Sequence, residues 1–261
     1  MAMNFVGSGT PFTANAIEKA AEKLECEVAA VRAVIDVESN GGYLGDKRPK
    51  ILFERHYFSR LTKGKYDNSH GDISHPRWGG YSGGSREYER LGRAIDLDED
   101  AALRSASWGA FQIMGDNCRM CGFDDVRKFV SAMVESEDRQ LDAFIAFVKA
   151  SRLDDELRRL DWEGFARGYN GPAYKKNNYD KKLAAAFDFH RAGGSRTSAG
   201  RPTLRMGAQG NDVEDLQEAL GLLVDGDFGP VTKKAVMDFQ KKKKLTADGI
   251  VGANTWRALG L

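Results

Sequence analysis

The chain of 261 residues is long enough for one medium-sized domain and one small domain. Its 39 lysines and arginines balance 38 aspartates and glutamates, so no strong electrostatic field points to a nucleic-acid partner or to a membrane surface. No stretch approaches the roughly 18 consecutive apolar residues that span a bilayer, and we expect no membrane insertion. The first residues lack a basic segment followed by an apolar core, so we expect the protein to accumulate in the cytoplasm in which it is made.

The cysteines and histidines do not form the pattern of a metal site. Cys26, Cys118 and Cys121 are an odd number of cysteines, which argues against the disulfide framework of a secreted protein. Cys118 and Cys121 have C-x-x-C spacing, but a zinc site needs two further ligands. His70 and His75 lack helical spacing and a third ligand signature. We therefore expect structural thiols and no metal or organic cofactor.

The periodicity of apolar residues predicts an α+β fold that is mainly α. The short apolar segment 51–53 is the predicted strand, and it lies in a region rich in glycine and aromatic residues. The predicted helices are, in chain order, one to about Leu24 with Thr13 as its N-cap, one over about 27–38, one over 101–114, one over 131–149, and short helices from Asp161 and from Tyr179.

Residues 193–203 are small, polar and aperiodic, which is typical of a linker. This composition predicts a domain over residues 1–192 and a second domain over residues 204–261. The second domain contains an internal repeat, because the pattern D-G-x-x-G-x-x-T begins at Asp225 and again 23 residues later at Asp248. A repeated turn and helix predicts two copies of one unit, packed to bury apolar faces that neither copy buries alone.

This turn chemistry resembles that of a known module. The stretch from Arg205 to Leu261, including Leu216-Gln217, Phe239-Gln240 and Thr255-Trp256, resembles the three-helix peptidoglycan-binding domain found on cell-wall hydrolases. The resemblance implies that peptidoglycan, through its glycan strand or its stem peptide, is the binding partner.

Glu38 is the first candidate for catalysis. Val28, Val31, Val34 and Ile35 have the spacing of a buried helical face, and the next step along that face reaches Glu38. Partial burial raises the pKa of a carboxyl group, and glycosidic bond cleavage needs an acid that is still protonated near neutral pH. The alternative is that the helix ends here and Glu38 faces water.

Three motifs together favour the catalytic interpretation. Glu38-Ser39 is followed by a glycine-rich turn, residues 107–115 resemble the substrate-side helix of goose-type lysozymes and lytic transglycosylases, and Tyr169-Asn170-Gly171 resembles the turn that faces the acid in those enzymes. More narrowly, residues 49–56 together with these motifs resemble the N-acetylmuramidase domain of phage endolysins, over about residues 12–192. The resemblance implies a lysozyme-like catalytic domain followed by the peptidoglycan-binding domain.

Glu54 is the second candidate carboxylate. It follows the strand 51–53 at the position where a lysozyme-like site has its second carboxylate, facing the acid across the sugar. A gap of about 5 Å between the two carboxyl groups implies retention of configuration and a larger gap implies inversion. The alternative is a structural ion pair of Glu54 with Arg55 or His56, and Asp46 is a weaker rival on a loop.

Four further residues are predicted to bind the substrate or to arrange the acid. Ser107 and Gln112 can supply hydrogen bonds to sugar, Tyr169 can orient the carboxyl group, and Asn170 can bond an N-acetyl group. Aromatic side chains can stack on pyranose rings; the candidates are Tyr57, Tyr66, Trp78, Tyr81 and Trp108.

The resemblance implies a peptidoglycan hydrolase that cleaves the β-1,4 bond between N-acetylmuramic acid and N-acetylglucosamine, for host cell lysis. One alternative is a lytic transglycosylase that forms 1,6-anhydro products, and another is a non-catalytic wall-binding structural protein of a phage. We expect a monomer that is made in the cytoplasm of a Gram-negative host. It would reach the periplasmic peptidoglycan after a phage holin permeabilises the membrane.

Overall fold

The computed structural model describes residues 4–39, 41–172, 174–192, 201–259 and 261. The chain divides into two compact units, Met1–His190 and Arg191–Leu261. The predicted domain limits at residues 192 and 204 stay predictions, and residues 193–200 of the predicted linker lie outside the described residues. In the described part of the chain, no helix combines the length and the apolar character that are needed to cross a bilayer.

The fold up to residue 192 is mainly helical with a small sheet, as the sequence predicts. Its helices are α1 (Ala14–Leu24), α2 (Val28–Glu38), α3 (Arg55–Leu61), α4 (Glu87–Leu97), α5 (Glu99–Arg104), α6 (Val126–Glu135), α7 (Glu137–Ala150), α8 (Asp154–Arg159), α9 (Trp162–Asn170) and α10 (Tyr179–Arg191). Its strands are β1 (Ile51–Phe53), β2 (Ala106–Trp108) and β3 (Ile113–Met114).

Side-chain caps explain where many of these helices begin. The side chain of Thr13 accepts a hydrogen bond from the backbone N–H of Ala16, which confirms its predicted role as the cap of α1. Asp98, Asp125, Ser136 and Asp161 cap α5, α6, α7 and α9 in the same way. Each cap provides an acceptor for an N–H group that has no partner inside its helix.

The predicted helix over 101–114 is wrong beyond Arg104. The chain instead forms an antiparallel hairpin, in which Ser107 pairs with Leu52 of β1 on one side and with Met114 of β3 on the other. Gly109, directly after β2, has a φ of +71° and begins the turn to β3, because the left-handed region favours glycine. The motif that resembles a substrate-side helix is therefore a β-hairpin and its turn.

The predicted helix over 131–149 is two helices, α6 and α7. Ser136 lies between them with an extended backbone, and its hydroxyl accepts a hydrogen bond from the N–H of Arg139. The apolar periodicity continues across this break because both helices bury one face against the same core, which includes Met133, Leu141 and Phe144.

The core of the first unit is built around the hairpin and the helices that cover it. Trp108 of β2 is fully buried, and its indole N–H donates to the carbonyl of Leu103. Trp108 is therefore a core residue and is not available to stack on a sugar. Other large side chains that are fully buried in this core are Phe53, Phe58, Phe129, Phe144 and Phe165.

The second unit has three helices, α11 (Asn211–Ala219), α12 (Pro230–Lys242) and α13 (Ala253–Leu259), in the part of the chain that is described. This arrangement confirms the predicted three-helix fold. Its core contains aliphatic residues around two fully buried aromatic side chains, Phe228 and Trp256. Arg201 covers the Trp256 ring, with its guanidinium carbon 4.7 Å from the ring centroid.

Two buried glutamines explain the internal repeat. The amide nitrogen of Gln217 donates to the carboxylate of Asp225 at 2.6 Å and to the hydroxyl of Thr232 at 3.0 Å. Gln240 makes the equivalent bonds to Asp248 at 3.2 Å and to Thr255 at 3.1 Å. The amide oxygen of each glutamine accepts the N–H of the glycine that follows the aspartate. The aspartate, glycine and threonine that recur in the repeat therefore surround the side-chain amide of a glutamine from the preceding helix. We call each such set of hydrogen-bonded residues a polar cage.

We expect Gln240→Leu to lower the stability of the C-terminal unit by about 2–3 kcal/mol, because a side chain of similar size leaves the N–H of Gly249 and the buried hydroxyl of Thr255 without this partner. Differential scanning calorimetry of the full chain measures the change. The matched control is Lys241→Leu at the exposed neighbouring position. Equal melting of the Gln240→Leu protein and the wild type would show that the cage does not stabilise the unit.

Candidate active site

Glu38 is the last residue of α2, and its side chain is half-buried. It continues the face on which Val31 and Val34 are buried, as the spacing predicts, although Val28 at the start of that face is exposed. Asp36 lies elsewhere on the helix, where its carboxylate is 2.8 Å from the imidazole Nε2 of His190. The helix therefore carries two acids in different surroundings.

The electrostatic surroundings of Glu38 fit a proton donor. Burial raises the pKa of Glu38 to about 7 from its ordinary value of 4.5, while the hydrogen bond from Asn170 and the charge of Lys182 act in the opposite direction. The Asn170 amide nitrogen donates to Glu38 Oε1 at 2.9 Å. Near neutral pH the carboxyl group is therefore part protonated, and groups that stabilise its charged form are already in place.

Tyr169 and Asn170 form the last turn of α9, and they act on different partners. Asn170 holds the Glu38 carboxyl, a role that the sequence analysis assigned to Tyr169. The Tyr169 hydroxyl instead donates to the backbone carbonyl of Phe111 at 2.9 Å, and its ring stacks on Phe165. Burial raises the pKa of Tyr169 well above its ordinary value, and the charge of Glu38 adds to the effect. Tyr169 therefore links α9 to the turn between β2 and β3.

Ser107 and Gln112 hold each other at that turn. The Ser107 hydroxyl donates to Gln112 Oε1 at 2.9 Å, and Gln112 Nε2 donates to the carbonyl of Gly109 at 2.8 Å. Gln112 is exposed and has a φ of +47°, a strained conformation for a residue with a side chain. Gln112 Nε2 also lies 3.3 Å from the carbonyl of Lys50, so the amide is fixed in orientation and the second lone pair of its oxygen is left as an acceptor, next to the Phe111 carbonyl that Tyr169 binds.

Glu54 lies where β1 ends and α3 begins. The Tyr81 hydroxyl lies 2.9 Å and 2.8 Å from its two carboxylate oxygens, and His56 Nδ1 lies 3.1 Å from Oε2. The structure thus pairs Glu54 with His56, one of the two alternatives, while Arg55 turns away to the carbonyl of Arg77. Desolvation and the bond to Glu54 raise the pKa of Tyr81, so its hydroxyl keeps its proton.

Tyr81 belongs to a loop that the fully buried Glu87 fixes in place. Glu87 accepts hydrogen bonds from the backbone N–H groups of Phe53, Ser82 and Gly83, and it pairs with Arg90 at 2.7 Å. Burial alone would raise the pKa of Glu87, but these donors hold the pKa below its usual range. Sequence reasoning missed Glu87, although an acid at i and an arginine at i+3 on a helix is the available signal.

A second pair of buried polar residues, Glu137 and Gln140 on α7, was also missed. Glu137 accepts from the N–H of Gly42 at 2.5 Å, and Gln140 accepts from the N–H of Ala110 at 2.7 Å. A Cβ atom on Gly42 or on Gly109 would clash with the Gln140 amide. The two residues therefore fix the loop after α2 and the β2–β3 turn, which flank Glu38 and Gln112.

The remaining candidates from the sequence have other partners. Asp46 is on an exposed turn, with its carboxylate 2.6 Å from Arg48. His70 contacts the hydroxyl of Ser69, and His75 accepts the backbone N–H of Arg77. Within the described ranges, no cluster of three or more histidine, cysteine or acidic residues has the arrangement of a metal site.

We expect Asn170→Ala to raise the pKa of Glu38 above about 7, because the lost hydrogen bond favours the charged carboxylate. An NMR titration that follows the carboxyl carbons of labelled glutamate measures this pKa. Asn68→Ala, at an exposed position, is the control. An unchanged or lower pKa in the Asn170→Ala protein would contradict the assigned contact.

Comparison with known protein families gives two matches, one mainly within each unit. Residues 27–191 match the family model for N-acetylmuramidase, and residues 209–259 match the model for a peptidoglycan binding domain. The crystal structure of an endolysin from Burkholderia phage AP3 is similar, with a TM-score of 0.67 and 42% sequence identity over 70% of this chain and 72% of that chain.

A shorter match relates the chain to the zinc D-Ala-D-Ala carboxypeptidase of Streptomyces albus G. The two sequences are 40% identical over 65 residues, which is 22% of this chain and 26% of the carboxypeptidase. The chain thus spans about a quarter of that relative's length. With 165 matched residues (27 to 191) in the first family model, the chain belongs to the N-acetylmuramidase family and carries a C-terminal peptidoglycan-binding domain.

Proposed function

We propose that this protein hydrolyses the β-1,4 bond between N-acetylmuramic acid and N-acetylglucosamine in peptidoglycan. The observation that carries the proposal is the half-buried carboxyl of Glu38, with a pKa of about 7 and a hydrogen bond from Asn170. An acid with this pKa is protonated often enough at neutral pH to donate to a leaving oxygen.

The first step in this mechanism is proton transfer from Glu38 to the glycosidic oxygen as the C–O bond breaks. The sugar then develops positive charge at its anomeric carbon, and Glu38 becomes a carboxylate. The Asn170 amide and the positive charge of Lys182 stabilise that carboxylate, since both act to lower the pKa of Glu38. The residues around Glu38 thus favour both the acid before the transfer and the anion after it.

Glu54 is the proposed second carboxylate. The Tyr81 hydroxyl lies within hydrogen-bond distance of both its oxygens, so its carboxylate is oriented before the substrate arrives. In hydrolysis it would stabilise the positive sugar or activate a water molecule. In a lytic transglycosylase the sugar's own hydroxyl attacks instead, so the loss caused by replacing Glu54 discriminates between the two reactions.

The remaining proposed roles concern the substrate and the wall. Gln112 offers its amide oxygen to a sugar hydroxyl, with Ser107 and the carbonyls of Lys50 and Gly109 as the groups that position the amide. Trp78, with 71% of its surface exposed and its ring packed edge-on against Tyr81, is the aromatic side chain best placed to stack on a pyranose. The C-terminal unit would bind peptidoglycan and raise the local concentration of the catalytic unit on the wall.

The proposed biological setting is host cell lysis at the end of a phage infection. The protein would be made in the host cytoplasm and would act on the cell wall after a holin permeabilises the inner membrane.

We expect Glu38→Gln to abolish wall lysis, because the amide has the size of the acid but cannot donate the proton, a contribution of roughly 10²–10⁴ in rate. Mass spectrometry of the digested wall measures cleavage and identifies the ends as reducing muramic acid or 1,6-anhydro sugar. Glu54→Gln is the informative companion, since a similar collapse supports hydrolysis with two carboxylates. Wall clearing by Glu38→Gln at the wild-type rate would refute the mechanism.

The same variant has an expected pH signature in stability. The folded carboxyl, with a pKa of about 7, binds its proton more tightly than the unfolded one at 4.5, so the wild type loses stability as pH rises between these values. Glu38→Gln lacks this loss. Its stability relative to the wild type should therefore increase over that pH range, by roughly 1–3 kcal/mol, in urea denaturation at each pH.

We expect removal of residues 195–261 to leave a folded enzyme that binds the wall more weakly. Activity should fall more on intact walls than on short soluble glycans, because only the former depends on tethering. Sedimentation with purified walls and initial rates on both substrates measure the effect. An N-terminal fragment without helical circular dichroism would show that the boundary is misplaced.

A further inference from the structure

A cavity of about 260 Å³ lies beside the loop that carries Tyr81. Four arginines line it, Arg55, Arg86, Arg90 and Arg93, together with the carboxylates of Asp72 and Glu89. The proposed catalytic mechanism uses none of these side chains. A concave surface with this many guanidinium groups is suited to bind carboxylate or phosphate groups, which guanidinium recognises through paired hydrogen bonds.

Two of the four arginines are already neutralised. Arg90 pairs with the buried Glu87 at 2.7 Å, and Arg93 pairs with Asp72 at 2.5 Å. Among the described residues, neither Arg55 nor Arg86 has a carboxylate within ion-pair distance. Arg55 donates to the backbone carbonyls of Arg77 and Trp78, which carry no net charge. Arg55 and Arg86 therefore bring two positive charges to the lining, and Glu89 is the remaining negative residue of the lining.

The cavity adjoins the candidate active site through short connections. Arg55 directly follows Glu54, and Gly80 and Ser82 of the lining flank Tyr81, whose hydroxyl contacts the Glu54 carboxylate. The Arg55 guanidinium lies against the backbone of Gly80, where an added Cβ would be 2.9 Å from its central carbon. A group bound in the cavity would thus contact the sequence neighbours of Glu54 and Tyr81, among them Arg55, which donates to the backbone carbonyl of Trp78.

We propose that this arginine cavity binds carboxylate groups of the stem peptide that is attached to N-acetylmuramic acid. This inference rests on the proposed function, since a glycan strand that passes Glu54 would bring its acidic peptide branches to this side of the site. Arg86 is the key residue for testing the proposal. It is exposed, directly precedes α4 and lines the cavity. Among the described residues, its side chain forms no hydrogen bond or ion pair with another segment of the fold.

The test compares full-length wild type, Arg86→Gln and Arg86→Glu. The matched control is Arg119→Gln, which changes an exposed arginine outside the cavity. Titration calorimetry with the acidic tetrapeptide of the wall, and separately with inorganic phosphate, measures binding. We expect tetrapeptide affinity to fall about tenfold in Arg86→Gln, to fall further in Arg86→Glu and to stay unchanged in the control. Any binding by the C-terminal unit is common to all four proteins.

A kinetic measurement complements the titration. We expect kcat/KM of Arg86→Gln to fall several-fold more on glycan oligomers that carry stem peptides than on peptide-free oligomers. The fall should come from a higher KM, with kcat unchanged. Tetrapeptide binding that is equal in all four proteins would overturn the proposal. Phosphate binding as tight as tetrapeptide binding, with the same dependence on Arg86, would overturn the peptide assignment in favour of a general anion site. Absence of glycan cleavage by the wild type, with tetrapeptide binding still dependent on Arg86, would instead reject the proposed reaction and retain the cavity.

Discussion

Within each unit, hydrogen bonds from loop backbone to buried side chains of helices stabilise the fold. At the start of α7, Glu137 accepts the N–H of Gly42, and Gln140 accepts the N–H of Ala110. These N–H groups lie in loops that have no regular secondary structure, and burying them without a partner would cost about 1–3 kcal/mol each. Glu87 does the same for the loop that carries Tyr81. These loops border Glu38, carry Tyr81 and form the turn that contains Gln112.

Three buried or half-buried glutamates differ in their hydrogen-bond donors and in the direction in which their pKa moves. Glu87 has three backbone donors and an arginine, and its pKa is held low. Glu137 has two backbone donors, which do not offset its burial, and its pKa is raised. Glu38 has one side-chain donor, and its pKa rises to about 7. The number and charge of the donors, set against desolvation, therefore decide the direction in which the pKa of each carboxyl moves.

Local sequence patterns predicted the parts of this molecule whose cause is local. The Thr13 cap, the strand 51–53 and the burial of the face that reaches Glu38 follow from spacing and from neighbouring residues. The hairpin over 106–114 did not follow, because its apolar residues satisfy a helical spacing as well, and pairing with β1 decides the outcome. Strand pairing joins residues that are more than 50 positions apart, which no local pattern encodes.

For the candidate site, the contact predicted for Tyr169 belongs to Asn170 in the structure. Asn170 contacts Glu38 in the structure, whereas Tyr169 binds Phe111, a partner 58 residues away in sequence. A motif indicates that two side chains belong to one site, but their partners depend on how α9 packs against the β2–β3 turn. The arginines around the cavity were not singled out from the sequence. Arg86, Arg90 and Arg93 follow one another at helical spacing at and after the start of α4, but Arg55 comes from α3 and joins them only through folding.

The two cages of the C-terminal unit have the same sequence spacing between their hydrogen-bonded residues. In each, the glutamine lies 8 residues before its aspartate and 15 residues before its threonine. Adding or deleting one residue between the glutamine and the aspartate of either cage would move the aspartate out of reach of the amide. Exchanging an outward side chain leaves these hydrogen bonds intact. Such a module can diversify its surface by substitution while its length stays constant within each repeat. Variation in this module is thus confined to the outer faces of its turns and helices.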